Sequence, residues 1–352
     1  MNISSSAKKI LNDGRLINHR NMWMNRLQNL FDNKPDEFNE RNIIGIYGPG
    51  IWASSQTLQN PELWIKESLE SLAETAENSY DENNFRPLCV ECSILGVHFI
   101  DKIFGANVFY QDDQWYNHYL PTEVGELQKP NLDKCEVWQI AKRAAVEFVR
   151  QDVKLPLFGL PTIASALVTA VNLYGDQILM AMLAEPEAAS RDLNIINETL
   201  VEIHNWYKGV LPTDQLHPVV AFERTQPPGY GQICGCTCQM ISAETYEKLI
   251  APLDDALLGC YPKGGMMHLC GAHAQHIPAL RNMKNLKSIQ INDRACMDLE
   301  QYYNGLRPDQ IIYFMPYEDM SIEQALAITG GNRLVIQKPP QHTIRKDYKN
   351  VQ

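Results

Sequence analysis

From Arg86 onward, short apolar runs alternate with longer amphipathic stretches. RPLCVECSIL, VKLPLFGL, GQICGCTC, GMMHLCG, LKSIQIND, QIIYFMP and RLVIQK have the length and apolar content of strands. Between them lie stretches with apolar positions at helical spacing: GDQILMAMLAEPEAASRDLNIINETLVEIHNWYKGVL, AETYEKLIAPLDDALLGC, AQHIPALRNM, DLEQYYNGL and SIEQALAIT. Strand–helix alternation of this kind predicts an α/β fold with a parallel sheet. About seven or eight such units in one chain favour a closed (β/α)8 TIM barrel over an open doubly wound sheet. Before Arg86 the chain is more polar and reads as helical, as in NPELWIKESLESLAETAENS with its Asn-Pro start, broken at Tyr47 to Gly50 by YGPG. The expected organisation is one domain over 1–352, with an N-terminal helical layer (1–85) and the barrel (86–352).

Composition narrows the function classes. A net charge of −11 over 352 residues, without a dense basic run, argues against a nucleic-acid surface. No apolar run approaches the roughly 20 residues that span a bilayer, and the amino end, MNISSSAKKILNDGR, lacks an apolar signal core. The expectation is a cytoplasmic protein without a membrane partner. No GxGxxG follows a first strand, which weakens a dinucleotide-binding reading.

Of the nine cysteines, Cys234, Cys236, Cys238, Cys260, Cys270 and Cys296 crowd into one part of the chain. In a reducing compartment such thiols are metal ligands or core residues before they are disulfides. His268-Leu269-Cys270 closes an apolar strand, where residues two apart share a face, so imidazole and thiolate converge, as zinc prefers. If GQICGCTC is a strand, Cys234, Cys236 and Cys238 also share one face. Together the two patterns make a metal site as good a reading as small thiols filling a tapering interior. Glu91 ends the first barrel strand as a candidate general acid, base or metal ligand. Asp293 follows SIQIN, where it is a candidate to complete a zinc shell or orient His268. His273 and His276 read as surface residues, and the aromatic, acidic stretch around Tyr110, Trp115, Tyr116 and Tyr119 as a loop over a ligand or a packed excursion.

Several of these stretches resemble the uroporphyrinogen decarboxylase superfamily. GLPTIASALVTAVNLYGDQILMAMLAEPEAASRDLNIINETLVEIHNWY, with Leu160-Pro161-Thr162 and Pro186-Glu187, is similar to that family's strand end, "PE" turn and long helix. MISAETYEKLIAPLDDALL, with Ser242, Tyr246 and Pro252, resembles a second family helix. GMMHLCGAHAQHIPALRNM followed by LKSIQIND, and PLCVECSILGV, resemble the zinc-dependent, methylcobalamin:coenzyme M methyltransferase branch. The resemblance runs from about Arg86 to the end. It implies a zinc ion that activates a methyl acceptor, a methylcorrinoid carried by a partner corrinoid protein, and a small-molecule thiol or pterin acceptor; a homodimer is compatible with it. It implies His268 and Cys270 as zinc ligands. The branch's further cysteine on the last strand is missing: RLVIQKPP offers Gln337. The third ligand then comes from the Cys234–Cys238 cluster, with Cys236 and Cys238 favoured, or from Asp293 or Glu91.

Two other readings remain open at this point. One is a metal-free decarboxylase or lyase on the same barrel with Glu91 and Asp293 as acid and base. It fits less well, because the Arg-rich amino-terminal motif that pairs tetrapyrrole carboxylates is absent. The other is a non-catalytic corrinoid- or metal-binding subunit.

Overall fold

The computed structural model describes residues 2–34, 41–48, 58–112, 114–218, 222–338 and 341–342. Its strands are β1 (Asn42–Ile43), β2 (Ile46–Tyr47), β3 (Asn84–Phe85), β4 (Leu88–Glu91), β5 (Asn107–Gln111), β6 (Gln114–His118), β7 (Leu157–Gly159), β8 (Leu216–His217), β9 (Gly231–Cys234), β10 (Gly265–Cys270), β11 (Leu286–Asn292), β12 (Ile311–Phe314), β13 (Leu334–Gln337) and β14 (Gln341–His342). Seven form a sheet in the order β3-β1-β13-β12-β11-β10-β9, and five form another, β14-β2-β4-β7-β8. Among the described residues, every pairing within these two sheets is parallel. Short chain segments join the two sheets: β1 and β2 are separated only by Ile44 and Gly45, and β3 and β4 only by Arg86 and Pro87. Among the described residues, no single helix is long and apolar enough to cross a membrane.

Each apolar run expected to be a strand contains one, buried along most of its length, as parallel strands covered on both faces must be. The long helix Pro186–Val210 starts on its proline and buries Ala189, Leu193, Ile196, Leu200, Ile203 and Tyr207, a stripe at helical spacing. Each such large apolar side chain contributes about 1.5–3 kcal/mol. A separate core joins Trp23, Met24 and Leu27 of helix Gly14–Phe31 to Ile43, Phe85, Leu157, Met266, Tyr313 and Val335 of the strands. Helix Gly14–Phe31 therefore packs onto residues from both sheets. Between β9 and β10 the backbones approach so closely that a Cβ on Gly265 would lie 2.3 Å from the Gly231 carbonyl oxygen. Glycine is required there, and it lets these two site-bearing strands sit side by side.

Three expectations need correction. The sheet begins at Asn42, not after Arg86: β1 pairs with β13 and β2 with β4, so the stretch before 86 is more than a helical layer. These strands are two residues long and interrupted, too short for a periodicity signal. GQICGCTC is not one strand, because β9 ends at Cys234 and Cys236–Met240 forms a 3-10 turn. The aromatic stretch from Asn107 to His118 is an antiparallel hairpin, with Phe109 stacked on Tyr116.

Candidate metal centre

The carboxyl ends of β9 and β10 bring three metal-donor side chains together. Cys234 and His268 are register partners across the two strands, and Gly235 N–H extends the ladder by donating to the His268 carbonyl at 2.9 Å. Register partners on parallel strands point to the same face, which places sulfur beside imidazole. The turn that starts at Gly235 then folds Cys236 back, so that the donor atoms of Cys234, Cys236 and His268 all lie within 4.8 Å of one another. The two sulfurs are 3.3 Å apart.

Cys270 extends the group. It lies two residues beyond His268 on β10, half-buried, and is hydrogen-bonded to Cys236. Three sulfurs this close share protons. Hydrogen bonding with Cys236 lowers the pKa of the Cys234 thiol and that of Cys270. Cys236 itself is held far above the usual thiol range by its hydrogen bonding to Cys234 and Cys270 and by burial. The cluster thus gives up a first proton readily and further ones with difficulty, unless a cation compensates the charge. Arg224, on the short turn Phe222–Arg224, favours the thiolate at Cys234 and Cys270.

His268 is buried, and desolvation pushes its pKa well below the usual imidazole value. A neutral ring is what a metal needs as a ligand. Its Nδ1 is bonded to Gln290 Oε1 on β11. Gln290 Nε2 donates to Gln337 Oε1 at 2.7 Å, and Gln337 Nε2 donates to the Glu223 carbonyl at 2.8 Å. Tyr47 donates to the Glu223 carboxylate. Two sulfurs and a neutral imidazole with its second nitrogen already engaged match the preferences of zinc in ligand type and in outer support.

The residues singled out in the sequence divide. Cys236, His268 and Cys270 belong to the cluster, and Cys234, which was not among the favoured ligands, stands at its base. Cys238 does not join it. The 3-10 turn rotates its side chain into the large core, where it is 1% exposed and burial raises its pKa. Glu91 is buried at the end of β4, and burial, then the charge of Glu223, lift its carboxyl to about 8. Asp293 is exposed in a left-handed turn (φ 48°), and the His268 Nδ1 bond for which it was a candidate is made by Gln290. His273 and His276 are buried, not at the surface: each is bonded to a peptide carbonyl, of Cys270 (2.6 Å) and of Cys238 (2.8 Å). Sequence reasoning missed Gln290 and Glu223. The polar Gln290 in the middle of the apolar run SIQIN was the available signal.

No family model matches the chain, and no curated protein matches it in sequence. Among solved structures, it is similar to a methyltransferase from Methanosarcina mazei, with a TM-score of 0.62 over 90% of this chain and 93% of that one, at 10% sequence identity. At that identity the likeness establishes a shared fold.

Proposed function

We propose that this chain is a zinc-dependent methyltransferase of the uroporphyrinogen decarboxylase-like superfamily, on a closed (β/α)8 barrel. It moves a methyl group between a methylcorrinoid, carried by a partner protein, and a small thiol or pterin acceptor. The observation that carries the reading is the convergence of Cys234, Cys236 and His268 at the carboxyl ends of two parallel strands, where barrel enzymes keep their chemistry. The fold shared with a solved methyltransferase supports it.

Cys234, Cys236 and His268 would hold the zinc, with Cys270 beside them as a further sulfur donor. Bound zinc supplies Lewis acidity, which keeps a thiol acceptor ionised at neutral pH or polarises a pterin nitrogen. The chain's own residues do the rest. Gln290 holds the His268 ring, and Arg224 adds positive charge near the sulfurs. Glu91, protonated below about pH 8, would be the group that gives a proton to, or takes one from, the acceptor.

The second reading, a metal-independent decarboxylase or lyase, is favoured by one observation: the buried Glu91 lies near a second carboxylate, Glu223. The deciding experiment follows the absorbance of methylcobalamin during incubation of zinc-loaded protein with thiol or tetrahydropterin acceptors. Demethylation that His268→Ala abolishes supports methyl transfer. Absence of any transfer, with lyase activity that survives chelation, overturns it.

A further inference from the structure

A metal donor set leaves one question open about its imidazole: which ring nitrogen carries the hydrogen. In this chain the answer is fixed from three strands away. The Glu223 peptide carbonyl is an acceptor only, so the group that meets it at 2.8 Å is the Gln337 NH2. The Gln337 amide oxygen then faces β11, where the Gln290 NH2 donates to it at 2.7 Å. The Gln290 oxygen is left facing His268 Nδ1, and an amide oxygen also only accepts. Nδ1 must carry the hydrogen, and Nε2 the lone pair.

Gln290 and Gln337 are both fully buried, so no solvent offers an alternative partner. Turning Gln337 over would set NH2 against NH2 and oxygen against oxygen, and turning Gln290 over would set its oxygen against that of Gln337, each mismatch costing roughly 1–3 kcal/mol. Register reinforces the arrangement: Cys234, His268 and Gln290 are successive partners across β9, β10 and β11, one row on one face.

We infer that Gln290 and Gln337 are positioning residues that set the His268 tautomer and present Nε2 to the sulfur pair. Strand β13 serves the site through the Gln337 amide, not through a ligand of its own. The tautomer stands on the hydrogen bonds alone; only its use for metal binding rests on the zinc reading above.

Two measurements separate these claims. In metal-free protein labelled with 15N-histidine, long-range 1H–15N correlations of the imidazole ring report the tautomer. The wild type is expected as the Nδ1–H form, and Gln337→Met, which frees the Gln290 amide to rotate, as a mixture. Zinc affinity, by competition with a chromophoric chelator, is expected to fall about tenfold to a hundredfold in Gln290→Met and in the same direction in Gln337→Met. Thermal unfolding of the metal-free variants checks that each folds. An Nε2–H wild type overturns the inference, as do Gln290→Met and Gln337→Met proteins that bind zinc like wild type. A wild type in the Nδ1–H form that binds no zinc supports the relay and removes the metal reading instead.

Discussion

Cys234 and His268 face each other as register partners on adjacent parallel strands. This pairing, more than the HxC spacing along β10, creates the site. Cys236 then reaches the same point because the chain leaves β9 at Gly235 and turns, bringing its sulfur to 3.3 Å from that of Cys234.

Removal of any one of the three donors should therefore weaken metal binding. Cys234→Ser, Cys236→Ser and His268→Ala are each expected to lower bound zinc from about one per chain to well below half after dialysis, as loss of one ligand in a three-ligand set implies. Cys270→Ser should retain more zinc than any of them, because Cys270 lies outside the three donors whose atoms all fall within 4.8 Å of one another. Elemental analysis of the four variants checks the order.

Cys238 makes the opposite prediction. It is a small apolar side chain in the core, so Cys238→Ser buries a hydroxyl and should cost about 1–3 kcal/mol of stability while zinc content stays at the wild-type level. Denaturant unfolding and metal analysis of the same sample separate the two effects.

Glu91 should give activity a basic limb. Its carboxyl is raised to about 8, so the protonated form dominates at neutral pH and is lost as pH rises through that value. If turnover uses that proton, kcat falls above about pH 8. Glu91→Gln should lower kcat about a hundredfold or more and erase the limb. A pH profile of both proteins tests this.

Asp254, buried within electrostatic reach of Cys234, offers a stability test on the metal-free protein. It is fully buried, hydrogen-bonded by Tyr246 at 3.1 Å, and raised to about 8 by burial. The unfolded chain ionises this group from about pH 4, whereas the folded protein keeps it protonated until about 8. Stability is therefore lost progressively across that window and no further above it. Asp254→Asn removes the penalty. It should be more stable than wild type at pH 8, by about 2 kcal/mol or more, with the advantage gone at pH 4.

The parts of this protein that were legible in the sequence are those with a local signal. Long apolar runs such as GMMHLCG and LKSIQIND announced their strands, and HxC on one of them announced two members of the cluster. The parts that were not legible depend on partners distant in sequence. Asn42–Tyr47 is sheet only because β13 and β4 flank it. Cys234 outranks Cys238 only because the strand stops at Gly235, a boundary that three evenly spaced cysteines conceal. Gln290 looks like an isolated polar residue until β13 supplies Gln337 and the turn before β9 supplies the Glu223 carbonyl.

Zinc K-edge X-ray absorption on the purified protein tests the central claim most directly, because it counts the atoms bound to the metal. The account predicts one light, nitrogen-type scatterer together with two or three sulfurs, and the loss of one sulfur in Cys234→Ser but none in Cys238→Ser. A protein without zinc, or with zinc held only by oxygen and nitrogen, would contradict it.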